Sequence, residues 1–413
     1  MEHQYLDISI APADTAFGLM ADFDADTHPS KVSLIAGAYR DENGNPWVLP
    51  SVKKAIQPQR KNVQAKERLG ETTHEYLGIA GSPLFIKLAQ DLIFGPVAPR
   101  LDNIASVQTV SGTGANHLAA TFLARHLRPN HVFIPDPTWI NHKAIWEMAG
   151  VAVSEYPYYS SVTKEVDMVR MLNALEQAEP NDVIILQACA HNPTGIDMSK
   201  SQWMQVADLV RRKNLFVVFD SAYQGFATGD IDGDAWAVRH FMDNLLKSET
   251  HPGLCVAQSF SKNFGLYGER VGALHLVVPK DFSARGALSE LTAIARAEYS
   301  NPPRFGARIV EIILGDEELT AQWKVDLETM SSRIWSMRRD MKQRLEIETE
   351  EDWVHLEKQI GMFSYTGLRK EQVYRLRDEF HVYLLPSGRM SLCGLNDGNV
   401  QYVAYAIGQV MKT

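Results

Sequence analysis

The chain has 413 residues, 45% hydrophobic and 22% charged, the proportions of a globular protein and not of a disordered, collagen-like or low-complexity one. Forty-one Lys and Arg against fifty Asp and Glu leave a net charge of −9, a poor balance for binding nucleic acid. No apolar run has the length of a membrane span, and 413 residues suggest two or three domains at about 150 residues each.

Residues 1–14 read as an extended arm. They carry Glu2, Asp7 and Asp14 and no Lys or Arg, unlike a transit or signal peptide. Cys189, Cys255 and Cys393 are odd in number and far apart, which predicts reduced, buried thiols in a cytosol-like compartment. Apolar runs predict strands at Val107–Val110, Val132–Ile134, Val183–Gln187, Leu215–Phe219, Cys255–Gln258 and Val271–Val277. Several are apolar throughout, as in a sheet covered on both faces. Helical spacing between them, as in Gly114–Leu127 and Ser201–Arg212, predicts an α/β fold with a mostly parallel central sheet and flanking helices. From Glu317 to Leu345 the pattern is one long charged helix. A mixed segment with a strand at Met362–Tyr365 follows and suggests a smaller α+β domain.

Ligands of such sheets sit beyond the carboxyl ends of the strands. Ser111, Gly112, Thr113 and Gly114 follow a strand and open a helix, so they form either an anion site or a tight turn. His117 replaces the third glycine of a dinucleotide fingerprint. Asp220 ends the strand LFVVFD and, partly desolvated, needs a cation or N–H partner; capping the next helix is the competing reading. Tyr223 lies within reach of the same cavity. Lys262 follows the strand CVAQSF among Ser, Phe and Gly, with Arg270 nearby. Desolvation and a like charge both lower its pKa, and a neutral amine can form a Schiff base. Arg389 stands in the uncharged run PSGRMSLCGL, so its fork requires either a ligand carboxylate or a structural acid. The turn AHNPTG offers Asn192 as a side-chain donor. Asp22, Asp24 and Asp26, and likewise Asp230, Asp232 and Asp234, lack the glycine of a calcium loop and read as solvated loops. The thirteen histidines show no metal-ligand spacing. An anion loop, a buried acid, an activatable amine and spare arginines together suit a phosphorylated cofactor carried on a lysine.

The blocks LIAGAYRDENGNPWVLPSVKKA, HEYLGIAGSPLF, SGTGAN, HNPTG, FDSAYQGFATGDIDGDAWAVR, SFSKNFGLYGERVG, SNPP and GMFSYTG occur in this order. Through them the chain resembles the aspartate aminotransferases, pyridoxal-phosphate enzymes of fold type I, and in particular the eukaryotic cytosolic type. The resemblance implies an arm at 1–14, a small domain of 15–47 and 326–413, and a large cofactor-binding domain of 48–325. It implies that Lys262 carries pyridoxal 5'-phosphate covalently and then shuttles the substrate proton. Asp220 would pair with the pyridine nitrogen, backed by His142, while Tyr223 and Asn192 would bond the phenolic oxygen. Trp139 would cover the ring. Ser111, Gly112, Thr113, Ser259 and Arg270 would hold the phosphate, with Tyr76 reaching it from the neighbouring subunit. Arg389 would bind the substrate α-carboxylate, Arg296 the distal carboxylate across a homodimer interface, and Gly37 would lie beside the substrate.

The implied reaction is ping-pong amino transfer between L-aspartate and 2-oxoglutarate in the cytoplasm, on small dicarboxylic amino and keto acids, with neither nucleic acid nor membrane as partner. Two positions depart from the family pattern. Gln187 replaces a common histidine, which leaves open how the hydrogen-bond network behind the ring is completed. Gly268 replaces an Asn common in aspartate enzymes, and keeps an aromatic aminotransferase with overlapping dicarboxylate activity as the alternative.

Overall fold

The computed structural model describes residues 14–56, 75–95, 103–245, 251–279 and 284–412; the expected arm, apart from Asp14, lies outside them. Thirteen strands occur among the described residues. A short β1 (Val32–Ser33) comes first. There follow β2 (Ile104–Val110), β3 (His131–Asp136), β4 (Ala152–Pro157), the hairpin β5 (Tyr159–Ser160) and β6 (Glu165–Val166), β7 (Val183–Gln187), β8 (Phe216–Ser221), β9 (Leu254–Ser259) and β10 (Val271–Val277). The last three are β11 (Phe363–Tyr365), β12 (Val382–Tyr383) and β13 (Arg389–Ser391).

Seven strands make one sheet in the order β2-β10-β9-β8-β7-β3-β4, in which only β10 runs against its neighbours. The expected mostly parallel sheet is therefore present. Its central strands are apolar on both faces because both faces are covered. Ile184, Leu186, Val217 and Phe219 enter one core; Val183, Ile185, Phe216 and Val218 enter the opposite one. The edge strand β4 was not foreseen. Its sequence AVSEYP is mostly part-exposed, so no apolar run marks it.

Several helices start where a side chain satisfies free N–H groups. In the Lys200–Lys213 helix, Ser199 Oγ accepts from Gln202 N at 3.3 Å and Gln202 Oε1 accepts from Ser199 N at 2.8 Å. Asn214 ends that helix in the left-handed region. The long helix runs from Glu317 to Thr349, capped by Asp316, whose Oδ1 accepts from Leu319 N at 3.1 Å. Trp323, Leu327, Met330, Ile334, Met341 and Leu345 recur at helical spacing on its buried stripe. The C-terminal segment returns to the N-terminal one, since β12 pairs parallel with β1. β11 and β13 form a second small ladder.

Two acidic runs differ from the solvated loops expected. Asp22 and Asp24 lie in the Thr15–Ala25 helix, and Asp26 accepts from Tyr383 Oη at 2.8 Å while His381 Nδ1 lies 2.8 Å away. Asp234 is buried and accepts from Gly225 N and Thr228 Oγ1 at 2.8 and 2.7 Å. Asp22, Asp24, Asp230 and Asp232 are exposed as expected, whereas Asp26 and Asp234 hold local turns. The three cysteines are free and buried, as expected.

Gly361 joins the C-terminal segment to the sheet. Its φ is +73°, and a Cβ there would lie 2.4 Å from the Ala190 Cβ. Gly361→Ala should lower the unfolding free energy by about 3 kcal/mol, through left-handed strain plus overpacking. The check is a urea titration, which should show a lower midpoint at unchanged slope.

Candidate active site

One edge of the sheet collects the chemistry. Ser111 follows the carboxyl end of β2, Trp139 follows β3, Asn192 follows β7, Asp220 ends β8, and Ser259 and Lys262 end and follow β9. Arg270 precedes β10, whose reversed direction brings its start to the same edge. These residues, with Gly37, Gly112, Thr113 and Tyr223, line one cavity of about 170 Å³.

At one end the Ser111–His126 helix starts without any side-chain cap. Ser111 has φ +64° and donates its N–H to the Arg270 carbonyl at 3.0 Å, which fixes the turn. Gly112 packs so closely that a Cβ would lie 2.9 Å from that of Ser259. The Ser111 and Ser261 hydroxyls are 3.2 Å apart, and the Arg270 Nη1 donates to the Tyr267 carbonyl at 3.0 Å. Free helix amides, hydroxyls and a guanidinium make this end an anion cradle.

A hydrogen-bonded row forms the floor. His142, 1% exposed, places Nε2 3.0 Å from Asp220 Oδ2, and its Nδ1 is 2.8 Å from Thr138 Oγ1. Gln187 Nε2 donates to Thr138 Oγ1 at 3.3 Å and to the Asn192 carbonyl at 2.9 Å, while its Oε1 accepts from Asn192 N at 2.8 Å. The amide thus completes the network and clamps the backbone of Asn192. The Trp139 and His142 rings meet edge to face, with their centres 5.3 Å apart.

Lys262 Nζ lies 5.1 Å from the centre of the Tyr223 ring. Burial holds its ammonium below the ordinary lysine value; Asp220 opposes this, and Arg270 and Arg389 add to it. Burial, helped by the Asp220 charge, pushes the Tyr223 phenol up. Arg389 contacts the lining residue Asn192. Its Nη1 donates to Asn192 Oδ1 at 3.4 Å and its Nη2 to the Ile35 carbonyl at 2.8 Å, whereas Nε is buried without a partner. No acid pairs with it among the described residues, so the structural-acid reading of Arg389 is set aside.

Two expected site residues lie elsewhere in the single chain. Tyr76 is 87% exposed, and Arg296 is exposed and bonded to Ser300. Thr138, Ser261 and Tyr267 were not singled out in the sequence. Thr138 stands four residues before His142, in the loop that precedes the Asn141–Met148 helix, a spacing that could have indicated it. Ser261 and Tyr267 lie inside the lysine segment, where Tyr267 Oη accepts from Tyr39 N at 3.0 Å.

Residues 29–407 match the family described as aminotransferase class I and II. The chain is 44% identical over 412 residues to the cytoplasmic aspartate aminotransferase of Saccharomyces cerevisiae, covering 98% of this chain and 96% of that protein. The solved structure of the aspartate aminotransferase from the cytoplasm of that yeast superposes with a TM-score of 0.93, covering 99% and 98% of the two chains at 44% identity. An L-tyrosine:2-oxoglutarate aminotransferase of Aspergillus ustus is 45% identical over 408 residues, 96% of this chain and 76% of that protein. An aromatic-amino-acid aminotransferase of Burkholderia pseudomallei, solved covalently bound to pyridoxal phosphate, is 38% identical with a TM-score of 0.90, covering 98% and 99%.

The lysine environment has a pH signature. An unfolded lysine titrates near about 10.4. The folded value of Lys262 is lower, so between the two the unfolded chain binds more protons and stability rises with pH. Lys262→Met should therefore stabilise the unliganded chain most at pH below the folded value, and the gain should vanish as pH approaches about 10.4. Urea unfolding of both proteins across that range measures it; a gain independent of pH would contradict the burial of the charge.

Proposed function

The chain belongs to the class I and II aminotransferases, and we propose that it moves the amino group reversibly between L-aspartate and 2-oxoglutarate, giving oxaloacetate and L-glutamate. The buried, unpaired Nε of Arg389 carries this reading, on a guanidinium that bonds the Asn192 side chain of the cavity holding Lys262 and Asp220. The cofactor of the family is pyridoxal 5'-phosphate. The cavity fits it: the uncapped helix amides and Arg270 suit the phosphate, Gly112 leaves room beside Ser259, and Asp220 suits a ring N–H. When bound, this group supplies an aldehyde carbon for the lysine and a ring that spreads the charge left by proton loss at the substrate Cα.

The protein side of the mechanism follows from the residues. Lys262, neutral for part of the time, would hold the cofactor and carry the proton lost from the substrate Cα. Asp220, oriented by His142, would keep a proton on a pyridine nitrogen through its negative charge. Tyr223 and Asn192 would donate to a phenolic oxygen. Trp139 would cover the ring and exclude water. Ser111, Gly112, Thr113, Ser259 and Arg270 would hold the phosphate. Arg389 binds the α-carboxylate beside Gly37 through a two-point fork.

The distal carboxylate requires a second cation. The reading assigns it to Arg296 of the partner subunit, and the remaining phosphate contact to Tyr76 of the partner subunit, within a homodimer. Their exposure supports this, since neither is used inside its own chain's cavity. The same reading divides the chain into the arm 1–14, a small domain of 15–47 and 326–413, and a large domain of 48–325; the pairing of β1 with β12 supports the small one. A cytoplasmic location is supported by the yeast relative. An aromatic aminotransferase with overlapping dicarboxylate activity is the second reading, favoured by the similarity to the tyrosine enzyme and by Gly268.

Comparing kcat/KM for aspartate with that for phenylalanine, each with 2-oxoglutarate, separates the two; aspartate should lead. Arg296→Ala should lose aspartate turnover at least ~100-fold while sparing phenylalanine, because a paired carboxylate is left without its cation. Equal losses on both substrates would remove Arg296 from the site.

A further inference from the structure

Arg338 lies inside the long Glu317–Thr349 helix and is 1% exposed. A buried cation is costly unless it is fully bonded, and an apolar residue of similar volume often serves stability as well. The bonds found here go only to neutral oxygens. Nη1 donates to the Leu356 carbonyl at 3.3 Å, Gln359 Oε1 at 3.5 Å and Ser364 Oγ at 2.5 Å; Nη2 donates to the carbonyls of Gly361 and Phe363 at 2.7 and 2.6 Å. Nε is buried without a partner, and burial pushes the guanidinium down to about 9.

All five acceptors belong to residues 356–364, and the other side of that segment faces the active site. Ile360 N donates to the Gly195 carbonyl at 2.7 Å, in the turn that carries Asn192. The β11–β13 ladder sets Phe363 opposite Ser391 and Tyr365 opposite Arg389. The Phe363 ring centre lies 4.2 Å from the Arg389 guanidinium carbon, and a Cβ on Gly37 would come within 2.9 Å of its Cζ. Phe363 is thus an aromatic platform beneath an arginine that has two hydrogen bonds and a free Nε.

We propose that Arg338 is a positioning residue for substrate binding: by tying down the carbonyls of Gly361 and Phe363 it fixes the Phe363 ring, which in turn holds the Arg389 guanidinium ready for the substrate α-carboxylate. This rests on the reading of Arg389 given above. Arg338 does not itself line the cavity. Only a planar fork reaches acceptors spread along this segment; a lysine has three donors at one point.

The test uses the holoenzyme and variants Arg338→Met, Arg338→Lys, Phe363→Leu and Arg338→Met/Phe363→Leu. Aspartate kinetics are read alongside calorimetric binding of succinate, a dicarboxylate with no amino group to react. Arg338→Met should raise KM for aspartate and Kd for succinate at least ~30-fold with kcat within ~3-fold, the pattern of lost ground-state binding. In the Phe363→Leu background the same substitution should change Kd by less than ~3-fold, because the two act through one contact chain. Should Arg338→Met fail to fold, Arg338→Lys keeps the charge, loses the fork, and should still weaken succinate ~10-fold. Unchanged Kd in a folded Arg338 variant, a fall in kcat alone, or a full effect without Phe363 would overturn the inference. Arg389→Lys separates the two layers. If it leaves succinate binding intact, the reading of Arg389 itself fails; if it weakens binding while the Arg338 variants do not, only the positioning role fails.

Discussion

The site depends on holding one amine, Lys262, partly out of water among charges of both signs. Burial and two arginines favour the neutral form, while Asp220 favours the charged one. Neither side alone would serve. A fully solvated lysine stays almost wholly protonated and attacks an aldehyde slowly, and one without a nearby acid would leave Arg270 and Arg389 without the negative charge that Asp220 places beside it. The sheet creates this balance by ending β8 and β9 side by side, with Asp220 opposite Ala257 in the ladder and Lys262 just beyond the end of β9.

The remaining architecture supports that edge. The reversed β10 matters because it returns Arg270 to the same rim as the helix amides at Ser111. The Gln187 amide, clamped on both backbone polar groups of Asn192, holds the HNPTG turn and joins it through Thr138 to His142 and Asp220. An amide has no titrating proton near neutral pH, so this part of the network keeps a fixed hydrogen-bond polarity. On the other side, the long helix reaches the site through Arg338 and the segment it bonds, and through Trp323, whose Nε1 donates to the carbonyl of Asn263 beside Lys262 at 2.8 Å.

Much of this was legible in the sequence. Lys262, Asp220 and Ser111 stand directly after apolar runs, where a parallel sheet exposes its strand ends, and Arg389 stands alone in an uncharged stretch. β7 and β10 were found with their full extents because both faces are buried. Partners that meet only through the fold were not legible from local pattern. His142 and Asp220 are 78 residues apart and are joined before folding only by the family resemblance. Gln187 drew attention as a departure, yet its clamp on Asn192 needed the β7 turn geometry. Arg338 was hidden in a helix rich in charged residues, where an arginine ordinarily faces water. Asp234 was misread because a carboxylate among other carboxylates looks solvated; its turn bonds are what permit burial. β4 was missed for the opposite reason, since an exposed edge strand needs no apolar run.

The most direct measurement is reduction of the cofactor-loaded protein with borohydride, followed by peptide mapping. Reduction fixes the cofactor's aldehyde carbon to whichever amine carries it. A single modified peptide with the label on Lys262, together with loss of the visible absorbance, is the expected result. Label on another lysine, or none at all, would contradict the account.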